Sequence, residues 1–158
     1  MAEVTMEHAA AGVLIEAAQE AARNAHAPYS KFAVGAALLL TDGSIVPGTN
    51  FENASYGLSL CAETVAIAAA NVAGRLRDVV AVGIVGGMMK PGGGMAGDEP
   101  IYPCGRCRQI LNEAAQMGGR DIAVYCASGD GRELRVHRLS ELLPHAFGPA
   151  DLGIETRP

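Results

Sequence analysis

Two short stretches carry side chains whose types and spacing suit chemistry: Cys61-Ala62-Glu63, and later Pro103-Cys104-Gly105-Arg106-Cys107. Three thiolates close most of a tetrahedral zinc shell and leave one position for water, which separates a catalytic zinc from the four-ligand shell of a structural one. Glu63 sits too near Cys61 in sequence to ligate the same ion easily, but it is well placed to exchange protons with a water on the metal. The chemistry on offer is zinc-assisted hydrolysis. A C-x-x-C pair by itself is also compatible with a redox dithiol, half of a structural zinc site or two unrelated core cysteines. A redox motif would want a preceding thioredoxin-like strand, which Tyr102-Pro103 does not offer.

Other candidate ligands are less well placed. Cys126 lies among apolar neighbours and is expected to be a core thiol, because a free cysteine packs as a small hydrophobe. His8, His26, His137 and His145 have no partner at ligand spacing and are expected at the surface or at caps.

The surrounding pattern is that of an α/β chain. From a Thr5 N-cap, Met6, Ala10, Val13, Leu14, Ala17, Ala18 and Ala21 recur at helical spacing and predict a first helix. Pro28 is expected to end it, leaving Ala27 to Phe32 as an irregular segment able to line a site. Ala33 to Thr41 and Ser44 to Thr49 read as a hairpin about Asp42-Gly43, with Pro47 putting the second strand at an edge. The turn-prone run Asn50 to Gly57 could reach a ligand at the metal or be an ordinary solvated loop. A helix over Leu60 to Ala73 then places Cys61 and Glu63 in its opening turn, with Gly74 closing it. Asp78 to Gly86 reads as a buried strand, parallel because a helix leads into it. Met88 to Glu99, with Gly92 to Gly94, is expected to be a flexible insertion; no Gly-Lys-Ser/Thr follows, so it is not a phosphate loop. Gly105 to Met117 is the second cysteine-bearing helix, with Ile110, Leu111 and Ala114 inward. Strands over Asp121 to Ala127 and Glu133 to His137 follow, then a short helix after Ser140.

Composition narrows the function classes. At 158 residues the chain fits one domain. A net charge of -5, no Trp, and only four Tyr and three Phe argue against a polymeric nucleic-acid partner, which would need a basic face and stacking rings. Cysteines in metal-ligand positions rather than a disulfide framework fit a reducing, cytoplasmic setting. No run is long enough to span a membrane.

With these residues in view, the sequence resembles the small homotetrameric, zinc-dependent cytidine deaminases of pyrimidine salvage, from about Ala27 to about Leu152. The likeness rests on Ala27-Pro28-Tyr29-Ser30-Lys31-Phe32, Asn50-Phe51-Glu52-Asn53-Ala54-Ser55-Tyr56-Gly57, Cys61-Ala62-Glu63, Pro103-Cys104-Gly105-Arg106-Cys107-Arg108-Gln109 and Leu142-Leu143-Pro144-His145-Ala146-Phe147-Gly148-Pro149. It implies a three-layer α/β/α sandwich on a five-stranded mixed sheet. It further implies Zn2+ held by Cys61, Cys104 and Cys107 at helix N-termini, and Glu63 as the catalytic proton shuttle. Substrate-binding roles implied in the same way fall to Phe32 (base stacking), Asn50 and Glu52 (ribose hydroxyls) and Ala62. Ala54, Tyr56 and Phe147 resemble residues that reach a neighbouring subunit's pocket. The implied reaction is hydrolysis of cytidine and deoxycytidine to uridine and deoxyuridine with release of ammonia.

Two alternatives remain open: a deaminase of another cytosine compound such as blasticidin S, and a non-catalytic zinc-stabilised binding module. The Asn50-x-Glu52 pair speaks for a nucleoside, and Glu63 speaks against a purely structural metal. One departure stands out. Many members carry Arg directly after the catalytic Glu, where it donates to the thiolates; here that residue is Thr64. Three thiolates and one Zn2+ sum to minus one, which opposes ionisation of a bound water; either the helix dipoles and Arg108 offset that charge, or Arg108 is an ordinary surface or interface arginine.

Overall fold

The structure, a computed structural model, describes the backbone of residues 2–156 and the side chains of residues 10–156. A first helix α1 (Ala2–Ala22) leads into strands β1 (Phe32–Leu40) and β2 (Ile45–Thr49), helix α2 (Ala62–Val72), strands β3 (Val79–Met89) and β4 (Met95–Ala96), helix α3 (Gly105–Gly118), strands β5 (Ala123–Ala127) and β6 (Leu134–Arg138), and a short helix α4 (Leu139–Leu142). The sheet runs β2-β1-β3-β5-β6, with β4 paired to the far end of β3. It therefore has six strands, where five were expected. The sixth comes from the glycine-rich insertion: β3 continues to Met89, turns at Lys90 to Gly94, and returns with Met88 opposite Ala96.

All the pairings are antiparallel except β3 with β5. β3 runs in the same direction as β2, the strand that feeds α2, as a helical crossover requires. Yet it does not lie beside β2: β1 comes between them, and β3 pairs with β1 antiparallel. The expectation of a parallel strand held for direction and failed for the neighbour. As Pro47 indicated, β2 is an edge strand.

Alternation along the strands builds two cores. Ala36, Leu38 and Leu40 of β1 face α2 and α3 with Val82, Ile84 and Val124. Ala33 and Ala37 face α1 with Leu14, Ala18 and Val85. The three-layer sandwich is thus present. Its helices lie close on the sheet because the contact residues are small: a Cβ on Gly35 would run into the Ala18 carbonyl of α1, and one on Gly48 into the Ala62 carbonyl of α2.

Two expectations for α1 need correction. The helix begins at Ala2, so Thr5 lies inside it, and it ends at Ala22, before Pro28, in tight turns over Arg23 to Ala25. Its buried face is Ala11, Leu14, Ile15, Ala18 and Ala22, whereas Val13 is 54% exposed. Alanine on every side of a helix blurs the apolar stripe. The side chains of Met6 and His8 lie outside those described. None of the described helices is long and apolar enough to cross a membrane.

Candidate active site

The cysteines converge at the starts of two helices on the same face of the sheet. Cys61 is the N-cap of α2 and Cys104 the N-cap of α3, with Cys107 in the first turn of α3. At each end the first amides have no partner within the helix, and the positive end of the dipole favours thiolate. The three sulfurs lie within 4.8 Å of one another, and Cys61 Sγ is 3.9 Å from Cys104 Sγ. Three sulfurs each about 2.3 Å from a tetrahedral zinc would stand about 3.8 Å apart, so the thiols fit that ion. Among the described residues they form the only cluster of this kind.

The sulfurs hydrogen-bond one another. The Cys61 thiol is lowered to about 6, first by its hydrogen bond with Cys107, with Cys104 and the Arg106 charge acting the same way. Cys107 is pushed up, chiefly by the same bond with Cys61 and by burial. Glu63, in the first turn of α2, is 4% exposed, and burial raises its carboxyl above the ordinary range. Thr64 Oγ1 lies 4.0 Å from Cys107 Sγ, the most that a neutral hydroxyl can offer in place of an arginine.

Beside the cysteines opens a cavity of about 340 Å³, lined by Phe32, Asn50, Glu52, Cys61, Ala62, Glu63 and Cys104 among others. That volume is in the range of small-molecule sites. Asn50 brackets the start of β1: its Oδ1 accepts from the Val34 amide at 2.9 Å and its Nδ2 donates to the Phe32 carbonyl at 2.9 Å. The Tyr29 and Ser30 amides hold Glu52 Oε2 at 2.9 and 3.2 Å. These bonds, together with the Ser30 hydroxyl, keep the Glu52 carboxyl below the usual range, the hydroxyl contributing most. Of the segment Ala27 to Phe32 after α1, only Phe32 lines the cavity; Tyr29 and Ser30 reach it by holding Glu52. Lys31 takes a left-handed φ of 57° just before Phe32, a strained turn held by the hydrogen bond its backbone N–H donates to the Ala27 carbonyl.

Ala54, Tyr56 and Phe147 do not line this cavity; Tyr56 and Phe147 are 71% and 63% exposed. Val34, Ser59, Leu60, Ile101 and Tyr102 also line it and were not singled out. Ser59-Leu60 and Ile101-Tyr102 directly precede the two cysteine stretches, so adjacency was the available signal. Cys126 is fully buried, and burial pushes its thiol up to about 12. His26 stacks on Phe51, and His137 packs on Tyr102 beside Glu141. Arg108 donates through Nε and Nη1 to the carbonyls of Pro103 and Leu142, both at 2.8 Å, and not to sulfur.

Comparison with known proteins agrees with this geometry. The profile of the cytidine and deoxycytidylate deaminase zinc-binding region matches residues 10–120. The chain belongs to this deaminase family. It is 44% identical over 142 residues to the cytidine deaminase of Halalkalibacterium halodurans, covering 89% of this chain and 96% of that one. The identity to the cytidine deaminase of Mycobacterium tuberculosis is 42% over 140 residues, covering 89% and 91%. The crystal structure of the cytidine deaminase from Burkholderia pseudomallei superposes with a TM-score of 0.74 at 42% identity, over 86% of this chain and 98% of that one. The deaminase is a zinc enzyme, a hydrolase of the family's kind.

Proposed function

We propose that this deaminase hydrolyses cytidine and deoxycytidine to uridine and deoxyuridine with release of ammonia, as a single-domain cytoplasmic enzyme of pyrimidine salvage. The observation that carries the reading is the placement of one buried carboxylate, Glu63, at the wall of a cavity with Cys61 and Cys104, two of three convergent thiols. Cys61, Cys104 and Cys107 hold zinc. When bound, zinc lowers the pKa of a water toward neutrality and so supplies the nucleophile for C4 of the ring.

The protein's own groups do the rest. Glu63 Oε takes a proton from the attacking water and delivers it to ring N3, then carries a second proton to the departing amine, so that water and cytidine leave as uridine and ammonia. Phe32, half-buried at the start of β1, lies against the base. Asn50 and Glu52 have hydrogen-bonding capacity beyond their backbone bonds and take the ribose hydroxyls, with Ala62 at the cavity floor. No Lys or Arg lines the cavity among the described residues, and Glu52 and Glu63 both do. A neutral nucleoside suits such walls better than a nucleotide phosphate.

Ala54, Tyr56 and Phe147 complete the cavity of a neighbouring copy in a homotetramer. Their exposure, and their absence from the cavity of their own chain, support that reading. The test is one panel of cytidine, deoxycytidine, cytidine monophosphate, cytosine and blasticidin S, read by ammonia release and ultraviolet absorbance. The reading predicts turnover of the two nucleosides well above the rest. Turnover confined to blasticidin S, or none with zinc bound, contradicts it.

A further inference from the structure

Arg108 and Gln109 directly follow the last cysteine, and the chemistry above uses neither. The Gln109 side chain turns to the segment after α4, and that of Arg108 to the last residue of α4. Gln109 Nε2 donates to the Phe147 carbonyl at 2.8 Å, Asn112 Nδ2 donates to the same oxygen at 3.3 Å, and Gln116 Oε1 accepts from the Ala150 amide at 3.1 Å. Arg108 Nη1 adds its bond to the Leu142 carbonyl. Positions 108, 112 and 116 recur every four residues and 109 lies three before 112, so the four side chains form one stripe along α3. A different face, with Cys107, Leu111 and Ala114, is in or against the core.

The stripe grips one point hardest. Both lone pairs of the Phe147 carbonyl are taken. Asn112 is 8% exposed, a burial that an amide tolerates only when bonded. Gly148 and Pro149, directly after Phe147, are buried, and a Cβ on Gly148 would meet Gln116 Nε2 at 2.7 Å. Above this clamped backbone the Phe147 ring is 63% exposed.

The geometry points to Gln109 and Asn112 as positioning residues, which fix the Phe147 backbone so that its ring stands at a set place for the neighbouring subunit's cavity. The inference rests on the shared-site reading given above. One rigid helix, α3, then registers both the thiols at its start and the ring delivered outward from its flank.

Gln109→Met keeps the bulk of an exposed side chain and removes its donor. In the zinc-loaded enzyme its KM for cytidine should rise about fivefold, the loss of one neutral hydrogen bond. Its kcat should stay within about twofold, and zinc content and oligomer mass should be unchanged. Exchange of the Gly148 and Ala150 amides should quicken. Combined with Phe147→Ala it should add nothing to the KM of Phe147→Ala alone, because both act through one ring. A KM for Gln109→Met equal to wild type, or effects of the two substitutions that add, overturns the positioning role. Unchanged amide exchange in Gln109→Met shows that the clamp itself is wrong. A wild-type KM for Phe147→Ala instead overturns the shared site, whatever the exchange shows, and with it the purpose assigned to the clamp.

Discussion

Gly48→Ala should cripple the site through the backbone of α2, without touching any proposed catalytic side chain. Gly48 lies on β2 opposite Ala36 and beneath the first turn of α2. A Cβ there would meet the Ala62 carbonyl and, at 2.6 Å, the Ala66 amide nitrogen. Both are helix backbone, so no side chain can swing aside. Restoring an ordinary contact requires the first turn of α2 to lift by about 1 Å, an overpacking that costs about 1–3 kcal/mol of stability. Cys61 and Glu63 ride on that turn, whereas Cys104 and Cys107 stay with α3. The Cys61–Cys104 sulfur separation is 3.9 Å, and metal sites tolerate only about 0.2 Å in ligand distance. Zinc binding should therefore weaken, and kcat/KM for cytidine should fall about a hundredfold, as for a 1 Å misplacement of reacting groups. Ultraviolet turnover assays, zinc stoichiometry and denaturant unfolding on the same samples read all three quantities. Gly83→Ala is the control: its Cβ meets Leu14 Cβ at 2.8 Å on the opposite face of the sheet, under α1. It should cost stability and spare turnover per bound zinc. Full zinc and wild-type turnover in Gly48→Ala, or an equal loss per zinc in Gly83→Ala, would refute the reasoning.

Phe147→Ala should raise KM for cytidine roughly tenfold and weaken the oligomer together, since a buried aromatic anchor contributes about 2 kcal/mol or more at an interface; sedimentation and initial rates check it, and a fully active monomer would contradict it. Arg108→Ala should lower stability by about 1–3 kcal/mol, through the loss of charged donors to Pro103 and Leu142. It should leave the rising limb of the pH–rate profile in place, because its bonds go to carbonyls and not to sulfur; a shifted limb would restore the charge-offsetting role that the sequence left open.

The order of helices and strands was legible because strand alternation and helix punctuation agree along most of the chain: Pro47 marked an edge, and Asp42-Gly43 a hairpin, while the three-layer sandwich itself was implied by the family resemblance. Cys104 fell at a helix N-cap as its position implied, and Cys61 at another, since the helix expected to begin at Leu60 begins at Ala62. What stayed hidden is non-local. The insertion of β1 between β2 and β3 depends on which strands pair, and a crossover helix fixes direction without fixing the neighbour. The sixth strand is two residues long and too short for periodicity to reveal. Alanine concealed the buried face of α1. In the site, Phe32, Asn50, Glu52 and the cysteines were named from their motifs; the structure puts the first three with Cys61 and Cys104 at one cavity, and Cys107 against those two sulfurs. Tyr102 lines the same cavity and gave no sign beyond lying next to Pro103. Arg108 stayed open in the sequence between offsetting charge and being an ordinary surface arginine, because nearness along a helix does not set which face a side chain takes.

The central claim, that Glu63 moves protons beside a zinc held by Cys61, Cys104 and Cys107, is tested most directly by cytidine turnover in Glu63→Gln at measured zinc occupancy. Gln fills the same buried space and still hydrogen-bonds, so fold and metal content should match wild type. Turnover per zinc should drop about a hundredfold or more with the loss of proton transfer. Near-wild-type turnover in a zinc-replete Glu63→Gln enzyme would contradict the account.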